Sequence, residues 1–466
     1  MLRWSTDVLA RTGPRTRTLC RCRLYSAFAQ KHVHAEQKPA ASPHYQPHTD
    51  AAGSSTRRDP AAVVAPELDR LRQSLLSLLG SAHPGLDEIA KYYFLHPSKQ
   101  MRPMMVLLFA RATNGLGGDW RERRWAAECD GAGGRAEELD MPLTRGDVLN
   151  DWNPSMPDST CSFSDVFELV APMARVVRPP VPSFGGLGAP GVELELLPTQ
   201  RRLAQIVEMI HVASLLHDDV IDRAGLRRGV PSAPAAFGNK LSVLGGDFLL
   251  GRASTALSRL GDLEVVELIA SVIANLVEGE ILQMKEVYTP ELGLVATPSA
   301  SGEAWRVYLK KTYLKTASLM AKGCRASVIL GGCRQGEIWK EVAYAFGRNF
   351  GLAFQLVDDV LDYEAGEATL GKPGGADLQL GLATGPALYA WEEHPEMGPL
   401  IQRKFEKEGD VELARDLVRR SSGVARTRDL ARAHSEKARE LLQMLPDSDA
   451  KVSLEVLTEK VITRTW

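Results

Sequence analysis

The residues best suited to chemistry in this chain are six aspartates arranged as two matched triplets. In "SLLHDDVIDRAGLRRG" an apolar segment ends in Asp218, Asp219 and Asp222, with Arg227 and Arg228 close behind. In "GLAFQLVDDVLDY" Asp358, Asp359 and Asp362 repeat the spacing. Residues four apart on a helix lie nearly above one another, so Asp218 and Asp222 share a face, as do Asp358 and Asp362. Hard divalent cations, Mg²⁺ above all, take oxygen ligands and complete their shell with water and substrate phosphates. Two such helices facing each other would hold a small group of Mg²⁺ between their C-terminal ends. Zinc is not suited, because histidine and thiolate ligands at metal spacing are missing. A lone triplet would as readily be a solvated helix face. Two copies after apolar runs, with arginines whose planar forks match phosphate oxygens, favour metal and polyphosphate.

The elements that must position these carboxylates are helical. "DPAAVVAPELDRLRQSLLSLL" opens with a helix-start pair and places Leu68, Leu71, Leu75 and Leu79 on one stripe. A second helical block runs from about residue 85 to 113 and includes "SKQMRPMMVLLFARA". Periodicity resumes at about residue 199, where Leu203, Ile206, Ile210, Ala213 and Val220 recur at three-to-four spacing, and continues to the C-terminus. Alternating strand patterns are scarce. The fold class expected is all-α, a single large bundle.

Between these blocks, residues 114–198 are rich in Gly, Pro, Trp and acids and read as an irregular surface insertion, with only "DVFELVAPMARVV" suited to a short helix. The catalytic domain is expected over residues 59–466, preceded by a linker over residues 31–58 that is rich in His, Pro, Ser and Ala. Residues 1–30 carry six arginines against Asp7 alone, the composition of a mitochondrial import presequence. The net charge of −2 gives no reason to expect nucleic acid or an anionic membrane as main partner. No apolar run is long enough to span a bilayer. The six cysteines show no metal pairing and no dense framework, which suits a reducing compartment.

With these motifs in order, the chain resembles the trans-polyprenyl diphosphate synthases, and most of all the mitochondrial long-chain members that make the ubiquinone tail. "LLHDDVID" with "RRG" is similar to the family's first aspartate-rich motif and "GLAFQLVDDVLDY" to its second. "FGNKLSVLGGDFLL", "LVEGEILQ", "YLKKTYLKTASL" and "GKPGGADLQLGLAT" are similar to further blocks in the expected sequence. The resemblance implies an isoprenoid-synthase fold and condensation of isopentenyl diphosphate onto an allylic diphosphate, farnesyl or geranylgeranyl. It also implies a Mg²⁺ cofactor and a homodimer or a heteromer. Peripheral membrane contact would serve product release.

The resemblance carries over residue by residue. It assigns Asp218, Asp219, Asp222, Asp358, Asp359 and Asp362 to the metal, and Arg227, Lys315 and Lys372 to the allylic diphosphate, with Thr316 beside them. Gln355 and Asp377 fall by the second metal group, and Lys99, Arg102, His211 and Arg228 at the isopentenyl diphosphate site. Ser98 stands where the family usually has glycine. Taken alone, His211 reads as a satisfied core histidine and Lys315-Thr316 as a helix surface pair. Ala213 and Ser214 lie one turn before Asp218, about 6 Å down the helix. Both are small where short-chain relatives have an aromatic floor, which implies a long product. Two rivals remain, a terpene cyclase and a non-catalytic scaffold subunit of a heteromeric synthase.

Overall fold

The computed structural model describes residues 59–131 apart from 82 and 97, residue 139, and residues 196–283, 300–368 and 375–464. All of these fall in the unit Thr56–Trp466. Its longer helices are α1 (Ala65–Leu78), α2 (Pro84–Leu95), α3 (Met101–Thr113), α4 (Trp120–Gly131), α5 (Pro198–Ile221), α6 (Asn239–Arg259) and α7 (Leu263–Gln283). They continue with α8 (Ser301–Thr312), α9 (Ser318–Leu330), α10 (Trp339–Ala368), α11 (Gly385–Glu393), α12 (Asp410–Arg420), α13 (Gly423–Leu442) and α14 (Asp449–Thr463). The all-α expectation holds.

Packing around α9 sets up the site. Its residues are buried on nearly every side, and it packs on α3, α5, α7 and α10. The two aspartate helices, α5 and α10, are thereby held on either side of a common core. That core includes Phe109 of α3 with Phe346 and Phe350 of α10, whose ring centroids lie 4.9 and 5.8 Å apart in turn. A second apolar cluster, with Leu356, Val357, Leu388 and Leu417 among its members, supports the end of α10 that carries the second motif. The long helices start as their sequences require: α5 has Pro198 at its first turn, and Gln200 accepts the backbone N–H of Leu197 at 3.0 Å.

Two features depart from the sequence reading. Residues 120–131 form a helix inside the stretch read as irregular. Its Arg, Glu and Ala are good helix formers that the flanking glycines and prolines obscure. "LRRGVP" forms a small antiparallel ribbon, β1 (Leu226–Arg227) and β2 (Val230–Pro231), with Arg227 opposite Val230. Arg228 and Gly229 make its two-residue turn at φ of 52° and 80°, the positive values that a primed hairpin turn demands. The presequence, the linker and "DVFELVAPMARVV" lie outside the described residues.

Candidate active site

One cavity of about 220 Å³ joins the two motifs. From α5 it is lined by His211, Ser214, Leu215 and Asp218; from α10 by Gln355 and Asp359; and from the segment after α10 by Asp377. Lys311, Lys315 and Thr316 come from the strand of helix between them, and Arg102 from α3. Leu276, Leu319 and Leu382 supply its apolar wall.

Lys315 and Thr316 reach the cavity through a local change of helical pitch. Residues Tyr313–Ala317 form a π-turn between α8 and α9, a feature that often marks functional positions. Two glycines leave room for it: a Cβ on Gly279 would come within 2.6 Å of the Lys315 Cγ, and one on Gly351 within 2.5 Å of the Ala317 Cα. The Lys315 amine is ion-paired with Glu280 and donates to the Gln283 Oε1 at 3.1 Å, both from "LVEGEILQ". Thr316 donates its hydroxyl proton to Gln355 at 2.9 Å.

The outer carboxylates of the first motif carry surplus negative charge. Among the described residues, neither Asp218 nor Asp222 has a hydrogen-bond or ion-pair partner for its carboxylate. Burial pushes the Asp218 carboxyl up to about 6, with Glu280 and Asp222 adding repulsion and Lys315 opposing it. Asp222 is raised for the same leading reason. A cation between such groups would relieve the cost, and an all-oxygen donor set suits a hard divalent ion. In this conformation no three His, Cys, Asp or Glu side chains among the described residues converge as a ready-made metal cage.

The other four motif aspartates have protein partners. Asp219 is fully buried and accepts from Tyr93 and from the Arg227 Nε at 2.7 Å. Asp359, also buried, accepts from Tyr308 at 2.5 Å and from Gln355 at 2.9 Å. Asp358 is ion-paired with Arg464 at 2.7 Å, and burial raises its carboxyl to about 6. Asp362 accepts the N–H groups of Ala376 and Asp377 at 3.1 and 3.2 Å, capping the short helix Ala376–Gln379. Asp377 is pushed up to about 7 by burial and by Asp359 and Asp362.

On the α3 side, His211 contacts the Arg102 guanidinium at 3.0 Å. Burial and the surrounding arginines hold His211 well below its usual range, so the ring is neutral and its Nε2 accepts from Arg102. Lys99, largely exposed, stands near Asp358 and Arg464, and partial desolvation of its amine together with Arg464 lowers it. Ser98 is absent from the positive-φ residues, so serine fits there without backbone strain; the left-handed residue is Gln100, at φ 45°.

Of the residues singled out from sequence, Arg102, His211, Ser214, Asp218, Lys315, Thr316, Gln355, Asp359 and Asp377 line the cavity. Asp219, Asp222, Arg227, Asp358 and Asp362 sit behind or beside it. Lys372 lies outside the described residues. Of the two small residues one turn before Asp218, Ser214 lines the cavity and Ala213 is fully buried in the main core. Sequence reasoning passed over Tyr93, Glu280, Tyr308, Lys311 and Arg464. Lys311 lines the cavity, and burial lowers its amine despite Asp359 and Asp377 nearby.

Comparison with known proteins places these observations in context. The family described as polyprenyl synthetase matches residues 187–418. The chain is 48% identical over 406 residues to the probable mitochondrial hexaprenyl pyrophosphate synthase of Neurospora crassa, covering 87% of this chain and 82% of that one. It is 40% identical over 411 residues to the decaprenyl-diphosphate synthase subunit 1 of Schizosaccharomyces pombe, covering 88% and 93%. Among solved structures it is similar to a polyprenyl synthase of Caulobacter crescentus complexed with calcium and isoprenyl diphosphate. That likeness has a TM-score of 0.61 and 26% identity, covering 90% of this chain and all of that one.

Proposed function

The chain belongs to the polyprenyl synthetase family, and from that premise we propose the roles its residues take in a mitochondrial trans-prenyltransferase. The enzyme condenses isopentenyl diphosphate units onto an allylic diphosphate, farnesyl or geranylgeranyl, to build a long all-trans chain for the ubiquinone side chain. The observation that carries this reading is the single cavity in which Asp218 of the first motif meets Gln355 and Asp359 of the second, with Lys315 between.

Mg²⁺ is the metal that suits the carboxylate donors. Asp218 and Asp222 would hold it on one side, Asp358, Asp362 and Asp377 on the other. When bound, it supplies Lewis-acid stabilisation of the departing diphosphate. Around it, Arg227 and Lys315 hold the allylic diphosphate, joined by Lys372. Thr316 and Gln355 fix its orientation. Lys99, Arg102, His211 and Arg228 hold isopentenyl diphosphate. Arg227, Lys315 and Lys372 stabilise the leaving group as the allylic C–O bond breaks and its electron pair departs with diphosphate. The double bond of isopentenyl diphosphate then attacks the allylic cation, a C–C bond forms, and the proton released passes to a diphosphate oxygen. Leu215, Leu276, Leu319 and Leu382 keep water from the cation and lead the growing chain away from the charged end.

The oligomer we favour is a homodimer, with a heteromer as the second possibility. Leu244 of α6 and Val277 of α7 are 58% and 55% exposed, apolar side chains of the kind a partner subunit would cover. No helix among the described residues is long and apolar enough to cross a membrane. We place the enzyme in the matrix, touching the inner membrane peripherally when product leaves. The test is the purified chain with farnesyl diphosphate, isopentenyl diphosphate and Mg²⁺, its products sized by mass spectrometry. Chain elongation supports the reading; a cyclic hydrocarbon would indicate the cyclase, and inactivity without a second subunit the scaffold.

A further inference from the structure

The middle aspartates of the two motifs are wired alike. A buried carboxylate must be satisfied by donors or cations, and each middle aspartate divides its oxygens between two kinds of partner. The Asp219 Oδ2 accepts the Tyr93 hydroxyl, while its Oδ1 accepts the Nε and Nη2 of Arg227. The Asp359 Oδ2 accepts the Tyr308 hydroxyl at 2.5 Å, while its Oδ1 accepts the Gln355 side chain at 2.9 Å. In each case the tyrosine comes from a third helix, α2 for Tyr93 and α8 for Tyr308. Both side chains are buried, Asp219 at 0% and Asp359 at 2% exposure, Asp359 at the wall of the cavity.

The wiring continues outward in both places. The Tyr93 hydroxyl accepts the Ala233 N–H at 2.8 Å, which ties the end of the β1–β2 ribbon to α2. Arg227, gripped along one edge by Asp219, keeps its Nη1 uncommitted to that carboxylate. On the other side, Gln355 passes the constraint to Thr316 at 2.9 Å, on the π-turn next to Lys315. An arginine held on one edge is pre-organised for a ligand on the other, and an amide held at both ends fixes the residues beside it, so less orientational freedom is lost on binding.

We infer that Tyr93 and Tyr308 are positioning residues, and that Asp219 and Asp359 act as struts that aim Arg227 and the Gln355–Thr316 pair at the allylic diphosphate. The outer aspartates then carry the metal. This rests on the prenyltransferase reading, and the wild-type condensation assay tests that reading separately.

The test uses the full-length enzyme and a non-reactive allylic thiolodiphosphate. Its binding, and that of Mg²⁺ in its presence, are followed by calorimetry for Tyr93→Phe, Tyr308→Phe, Asp219→Asn and Asp218→Asn. Loss of one hydrogen bond to a charged group should weaken the analogue by about tenfold in Tyr93→Phe and Asp219→Asn. Tyr308→Phe should move in the same direction. In these three variants the Mg²⁺ half-saturation and the KM for isopentenyl diphosphate should change less than about twofold, whereas Asp218→Asn should raise the Mg²⁺ requirement by tenfold or so. The inference is overturned if Asp219→Asn raises the Mg²⁺ requirement as much as Asp218→Asn does. It is also overturned if Tyr93→Phe weakens both substrates equally, which would mark a general structural role, or weakens neither. Condensation by the wild type alongside such results would leave the function standing and remove only the strut.

Discussion

Asp358 and Arg464 form an ion pair at 2.7 Å that ties the C-terminal end of the chain to the second aspartate motif. The guanidinium also stacks on the Phe354 ring, 3.8 Å from its centroid, and donates to the Phe354 carbonyl. Arg464 is one of the groups that hold Asp358 down against burial. Arg464→Ala should therefore lower thermal stability by about 1–3 kcal/mol, the range for a lost charge-assisted hydrogen bond. It should also move the acid limb of activity to higher pH, because Asp358 then ionises later. A pH–rate profile unchanged from wild type would show that Asp358 is not rate-determining in its ionised form.

The acid limb originates in buried carboxylates. Burial holds Asp218 and Asp358 at about 6, above the usual carboxylate range. Between about pH 4 and 6 the folded chain binds protons that the unfolded chain has already lost. Their contribution to stability is full below about pH 4 and is lost as pH rises through about 6. The metal-free protein should thus lose stability across that window, and Mg²⁺ with diphosphate should restore it at pH 7. Metal binding needs ionised carboxylates, so the Mg²⁺ concentration for half-saturation should climb as pH falls through about 6. Calorimetric melting curves with and without Mg²⁺ and diphosphate check both halves. A flat metal-free profile would count against the burial of these groups.

Much of this was legible in the chain. The Asp218–Asp222 and Asp358–Asp362 spacing gave the carboxylate faces, and the three-to-four periodicity gave the bundle. What escaped was whatever depends on contacts between distant segments. Tyr93 and Tyr308 look like ordinary helix aromatics until the fold sets them against Asp219 and Asp359. Arg464 carries no motif, and only the packing of α14 brings it to Asp358. The π-turn at Tyr313–Ala317 has no periodic signal in so short a span, and the room that Gly279 and Gly351 leave for it is visible only once the helices are packed. The ribbon at Leu226–Pro231 escaped because two-residue strands leave no alternation to read.

That steric account can be tested at Gly351. An added methyl would sit 2.5 Å from the Ala317 Cα, a backbone atom that cannot swing aside. Gly351→Ala should cost about 1–3 kcal/mol of stability, in line with overpacking elsewhere. It should also weaken the allylic substrate, since the π-turn carries Lys315 and Thr316. Thermal melts and primer KM measure the two effects. A variant as stable and as active as wild type would mean that the turn relaxes freely.

The control of product length separates two neighbouring residues. Ser214 lines the cavity on the stripe of Asp218, whereas Ala213 is fully buried in the core. Phenylalanine at position 214 would intrude into the apolar passage beneath the carboxylates, beside Leu276 and Leu319. Ser214→Phe should therefore shift the main product to shorter chains while the enzyme stays folded. Ala213→Phe would press the ring into packed helices, and should cost about 1–3 kcal/mol without a defined new product. Mass spectrometry of products, read with melting temperatures, distinguishes the two. Shortening by Ala213→Phe but not by Ser214→Phe would place the chain's path on the other face of α5.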